Sequence, residues 1–208
     1  VVRRCNGIFG GRGHDRMNVL VIPEDFRKDQ YMLKPIFMAM MKEVGKPNAR
    51  VRVCQDPLLG GVSEALKWER IQEIIERYKG MVNLFLLCVD RDGKEGRKGV
   101  LTSIEQQAVN ILTGGRLLLA ENAWQEIEVW VLAGHNLPSD WNWQVIRDEV
   151  NPKETYFLPF AEQRNLLDAP GEGRKTLAEE AARRYDRIRQ LCPEDIANLE
   201  DRVRSFLA

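Results

Sequence analysis

A chain of 208 residues is long enough to bury one substantial core, or one core with a small appended lobe. Hydrophobic content of 44% and charged content of 30% exclude a disordered tail, and no apolar run reaches the roughly 20 residues of a membrane span. Lys plus Arg equals Asp plus Glu at 31 each, so bulk electrostatics cannot hold the chain on nucleic acid, and any phosphate contact must come from a local patch.

Residues 1–16 are basic and Gly-rich with no apolar stretch, which reads as a flexible extension and not as a secretory signal. His14 within it reads as inert. Residues 18–22 (NVLVI) form a short apolar run, predicted to be a strand covered on both faces and broken by Pro23-Glu24-Asp25. A helix is predicted over about residues 29–44, with Leu33, Ile36, Phe37 and Met40 on one face, and Gly45, Lys46 and Pro47 end it. Residues 50–54 alternate like a strand with one wet face. Ser63 is placed to cap a helix running to Lys79.

Residues 82–89 are the most strand-like of the chain and end in Asp90. A charged loop to Lys98 follows, then a predicted helix over 101–112, a strand over 116–120 and a helix over 123–133. Strand and helix thus alternate four times, which predicts an α/β fold with a mostly parallel four-stranded sheet flanked by helices. The core is expected over 17–135. From Asn136 a C-terminal helical subdomain is expected, closing with helices over 175–191 and 193–207. The four cysteines (Cys5, Cys54, Cys88 and Cys192) form no CxxC, so they read as free thiols of a reducing, cytoplasmic setting and not as a zinc site.

In open parallel sheets, ligands bind at the carboxyl ends of the strands. Two predicted strands end in acids, the first in Glu24-Asp25 and the third in Asp90-Arg91-Asp92-Gly93. In an extended segment residues i and i+2 point the same way, so Asp90 and Asp92 can present two carboxylates to one hard cation, with Gly93 letting the backbone turn beside it. The competing reading is that such acids cap the next helix or sit in solvent. A calcium loop is excluded, because a strand precedes the motif and the closing Glu is missing. An aspartate-nucleophile phosphatase would carry its motif on the first strand. Glu121 and Glu128 are two helical turns apart and can share a face if the predicted helix starts early enough.

Glu24 after the first strand (VLVIPED), the DxDG after the third (LFLLCVDRDG) and a later acid together resemble the TOPRIM fold of topoisomerases, primases and OLD-type nucleases. The segment Glu128-Val129-Trp130-Val131-Leu132-Ala133 is similar to the E-x-W-L-L segment of small bacterial TOPRIM-like proteins, including the RloB-like group. The likeness covers roughly residues 17–192. It implies Glu24, Asp90, Asp92 and Glu128 as ligands of Mg²⁺ or Mn²⁺, and phosphodiester hydrolysis of nucleic acid, DNA first, in a role such as prokaryotic defence. One departure is Asp25, which stands where the family glutamate is usually followed by glycine. No ATPase is fused, so OLD-like regulation implies a separate ATPase partner, and an oligomer is compatible with the family.

Hydrolysis also needs a cation near the developing charge. Arg91, Arg97, Lys98, Lys153, Arg174 and Lys175 are candidates, with Lys153 and Lys175 favoured because each follows a backbone-turning residue. The Arg-rich segment 183–189 is expected to pair with acids of its own helix, and Trp124, Trp130, Trp141 and Trp143 to pack helices onto the sheet. Two readings from other classes stand beside the nuclease: a non-catalytic metal-binding subunit of a larger complex, and a small-molecule phosphatase.

Overall fold

The structure is a computed structural model that describes residues 16–208, so Cys5 and His14 lie outside the described residues. Four strands form one parallel sheet: β1 (Asn18–Pro23), β2 (Arg50–Val53), β3 (Leu84–Asp90) and β4 (Leu117–Ala123), in the order β2-β1-β3-β4. Helices α1 (Phe26–Glu43), α2 (Val62–Ala65), α3 (Trp68–Tyr78) and α4 (Arg97–Val109) connect them. Each strand-to-strand passage carries the chain back to the same end of the strands, which parallel pairing requires.

β1 and β3 are central and apolar along their length because both faces are covered. Val19, Val21, Leu84, Leu86 and Cys88 face one core, against α1; Leu20, Ile22, Phe85, Leu87 and Val89 face the other, against α3 and α4. Six later helices follow: α5 (Glu128–Ala133), α6 (Trp143–Asp148), α7 (Leu158–Gln163), α8 (Arg174–Ala182), α9 (Tyr185–Leu191) and α10 (Asn198–Leu207), with π-helical turns at Lys153–Phe157 and Pro193–Ala197. Leu177, Ala181, Ile188, Leu199 and Val203 of these helices join the core of α1. Among the described residues no helix is long and apolar enough to cross a membrane.

Several expected boundaries move. α1 starts at Phe26, because Asp25 caps it and accepts the Arg27 N–H at 2.9 Å. The helix expected from Ser63 to Lys79 is two, α2 and α3, and the one expected over 175–191 breaks between Ala182 and Tyr185. β4 runs on through Glu121 and Asn122 to Ala123, where a helix was predicted to begin. The arginines of the 183–189 segment reach other elements: Arg184 to Asn136 Oδ1, Arg187 to the Ala133 carbonyl, and Arg189 to Glu200 and Asp201.

α5 and α8 touch through Gly134, where an added Cβ would sit 2.5 Å from Cα and Cβ of Ala181. Gly134→Ala is therefore expected to cost about 2 kcal/mol by overpacking. Chemical denaturation of the two proteins, at constant slope, measures it.

Candidate metal centre

The sheet order makes the gap between β1 and β3 the switch point, since the chain leaves β1 toward β2 on one side and β3 toward β4 on the other. Glu24 follows β1 and Asp90 ends β3, and the Asp90 N–H donates to Glu24 Oε2 at 3.1 Å. The two acids that the sequence placed at strand ends are thus neighbours across the crevice.

Asp92 lies in a turn with φ +46°, so the extended i, i+2 geometry expected for Asp90 and Asp92 does not occur. Gln125, itself at φ +74°, builds that turn from the facing loop. Its carbonyl accepts the N–H groups of Arg91 (2.7 Å) and Asp92 (3.1 Å), and its Oε1 accepts that of Gly93 (2.9 Å). One residue of the β4–α5 loop therefore holds three successive amides of the Asp90–Gly93 turn.

The next residue in that loop, Glu126, completes an acidic group. Asp90, Asp92 and Glu126 each bring one carboxylate oxygen within 4.8 Å of the others. Each is oriented by a partner. The Ile127 N–H donates to Asp90 Oδ1 (2.8 Å), Arg97 to Asp92 Oδ2 (2.8 Å), and the Lys153 N–H to Glu126 Oε2 (2.8 Å). Three convergent carboxylates suit a hard divalent cation that keeps part of its water shell, so the residues present fit Mg²⁺ or Mn²⁺.

Glu24 stands beside this group without being one of the three. Glu128 is nearby, but its Oε1 accepts two bonds from the buried Arg174, at 3.0 Å and 2.7 Å, so its place in the structure is an ion pair. Asp25 serves the start of α1. Lys153 meets the acids directly: its Nζ is 3.4 Å from Glu126 Oε1 and 3.0 Å from Glu154 Oε1. Lys175 is exposed on α8, in a groove with Tyr31, Lys34 and Met38, and no ion pair joins it to the acids. Lys98 lies 3.8 Å from Glu121, and Arg91 packs over the Trp124 ring at 3.9 Å. Trp130 is fully buried and donates its Nε1–H to Asp195 (2.7 Å), which also accepts the Trp124 N–H (2.8 Å) and so pins the loop that carries Gln125 and Glu126.

Crowding of carboxyls in a closed crevice disfavours their charge. Burial, and then the carboxylates of Glu24, Glu128 and Asp29, push Asp90 well above the ordinary range. Burial likewise raises Glu24 and Glu126, against the opposing pull of the N–H bond each accepts. Asp29, behind the cluster on α1, is pushed up to about 8 by burial, although it accepts the Asp25 N–H. Burial works to lower Lys153, but its bond to Glu154 and the charges of Glu126 and Glu128 prevail and hold it protonated.

Glu126 and Gln125 were not anticipated as site residues. The helix predicted from Ala123 placed both in its first turn, whereas the structure places them in the loop after a strand, where the strand-end rule that found Asp90 also applies. Comparison with known proteins yields no match: no family model, curated protein or solved structure matches this chain.

A carboxyl whose folded pKa exceeds its unfolded value keeps its proton in the native chain after the unfolded chain has lost it. Stability then falls as pH rises from about 4 toward the folded value. Without metal, Asp90→Asn is therefore expected to melt above wild type at pH 8 by an amount worth about 1 kcal/mol, with the gap closing toward pH 4. Melting curves in EDTA across that range provide the check. Gln125→Ala removes the Gly93 anchor while leaving all three acids in place, and is expected to weaken Mn²⁺ binding by about tenfold, as loss of a supporting hydrogen bond does elsewhere; calorimetric titration reads it.

Proposed function

We propose that this chain is a Mg²⁺- or Mn²⁺-dependent phosphodiesterase acting on nucleic acid, with DNA as the first candidate substrate. The observation that carries the reading is the convergence of Asp90, Asp92 and Glu126 at the β1/β3 switch point, with Glu24 alongside. Asp90 and Asp92, two of the four acids that the TOPRIM resemblance implied, belong to this group; Glu24 stands beside it, and Glu126 takes the place that the resemblance gave to Glu128.

In this mechanism Asp90, Asp92 and Glu126 hold the cation. Once bound, it supplies Lewis acidity, polarising a phosphate oxygen and lowering the pKa of a water. Arg97 fixes the Asp92 carboxylate, and Arg174 pairs with Glu128 and offsets part of its charge, although Glu128 still adds to the repulsion at Asp90. Lys153, held protonated against the cluster, is the side chain best placed to offset charge developing on the phosphate. A role in prokaryotic defence and a separate ATPase partner rest on the resemblance alone.

A second reading, a metal-binding subunit without catalysis, is favoured by the ion pairs that occupy Asp92 and Glu126. Incubating the protein with plasmid, single-stranded DNA and RNA in Mg²⁺ or Mn²⁺ separates the two. Cutting by wild type that falls at least a hundredfold in Asp90→Ala and Glu126→Ala is expected. If wild type binds metal but leaves every substrate intact, the non-catalytic reading replaces it. Turnover of a small phosphate ester alone would make the chain a phosphatase.

A further inference from the structure

Lys175 is one of the two cations that the sequence favours for phosphate, and the metal centre leaves it unused. It lines a groove of about 500 Å³ between α1 and α8, with Lys34 and Arg183 on the same walls. Both helices start at the acids. α1 follows Glu24 directly after its cap at Asp25, and carries in its first turn Asp29, whose charge helps to raise Asp90. α8 opens with Arg174, the partner of Glu128, and Lys28 of α1 joins Glu172, just before α8, at 3.1 Å. The groove therefore leads outward from the crevice. Lys34 stands eight residues beyond Phe26, about 12 Å along the axis at 1.5 Å per residue.

The charges on its walls are unbalanced. Lys34, Lys175 and Arg183 are exposed, and none has a carboxylate within 4.0 Å among the described residues, whereas Lys28, Arg164 and Arg174 nearby are each paired. Glu179 is the one acid of the lining, so three cations face a single carboxylate in a chain of zero net charge. Lys175 also sits in the first turn of α8, where the positive end of the helix dipole disfavours a cation and no acidic side chain accompanies it. A lysine there costs stability unless an anion meets it. Unpaired cations spaced along both walls of a groove complement a row of phosphates, one charge to each nucleotide.

We propose that the α1–α8 groove holds the sugar-phosphate backbone of a nucleic-acid substrate next to the scissile bond, with Lys34, Lys175 and Arg183 contacting phosphates. The identity of the occupant rests on the nuclease reading, which it deepens by giving the strand a path away from the metal centre. Such contacts position a strand without reading its bases, so the groove adds affinity and no sequence preference.

Fluorescence anisotropy of a labelled, mixed-sequence single-stranded DNA, titrated with the full chain in EDTA at several salt concentrations, tests it. Replacing the three cations together (Lys34→Gln, Lys175→Gln and Arg183→Gln) is expected to weaken binding about tenfold or more. It should also flatten the slope of log affinity against log salt by about 2, at about 0.7 for each lost phosphate contact. Glu179→Gln removes the opposing charge and is expected to tighten binding severalfold, a gain that misfolding cannot produce. Lys46→Gln with Arg116→Gln, in a basic cavity at the opposite end of the sheet, is the control and should leave affinity unchanged. Unchanged affinity in the triple variant, an equal loss in the control, or no binding of DNA by wild type overturns the proposal. So does binding of wild type to phosphatidylserine vesicles in place of DNA, which assigns the groove to a membrane surface. EDTA keeps this titration apart from cleavage. A chain that cuts but binds DNA equally well in the triple variant loses this proposal only, and one that binds through the groove without cutting in Mg²⁺ or Mn²⁺ loses the nuclease reading only.

Discussion

Like charge gathered at one crevice is the constraint around which this molecule is built. Two carboxylates about 5 Å apart repel by roughly 3 kcal/mol at an effective dielectric near 20, and here Glu24, Asp29, Asp90, Glu126 and Glu128 influence one another, with burial adding to the cost. A fold selected for stability alone would not collect them. Backbone N–H groups and the side chains of Arg97, Lys153 and Arg174 offset part of the repulsion, and the upward-shifted acids mark the part that these groups leave.

The compensating groups come from distant parts of the chain, which explains why the C-terminal helices share a core with the sheet. Arg97 reaches Asp92 from the start of α4, Lys153 reaches Glu126 from a π-helical turn, and Arg174 reaches Glu128 from the start of α8. Arg174 is fully buried, a placement tolerable only because Glu128, Glu172 and the Gly171 carbonyl all accept from it. Asp195, just before α10, ties down the loop that carries Gln125 and Glu126. The helices after residue 136 thus act on the site as well as on the core.

The sequence carried the fold class plainly, because buried parallel strands are apolar throughout and their helices show one apolar face. Asp90 and Glu24 were legible by the same logic, as acids ending apolar runs. Glu126 was not. β4 is an edge strand whose last turns of chain contain Glu121 and Asn122, and polar residues there ended the apolar run three residues early. Glu121 is tolerable in that strand because Asn198 (3.1 Å) and Arg202 (3.7 Å) of α10 meet it, partners some 80 positions away that no local pattern reveals. Asp92 converges on Asp90 through Arg97 and Gln125 and not through strand geometry, so the two carboxylates come together by a route that the extended i, i+2 argument did not describe. Among the cations, Lys153 and Lys175 looked alike in sequence, and only the tertiary packing separates them.

The measurement that bears most directly on this picture is the anomalous scattering of a crystal soaked in Mn²⁺. A single strong peak in contact with the carboxylates of Asp90, Asp92 and Glu126 is the expected result, absent in crystals of Asp90→Asn. A peak elsewhere, or none at Mn²⁺ concentrations of several millimolar, would contradict the assignment of this crevice as a metal centre and leave the acids as a purely structural network.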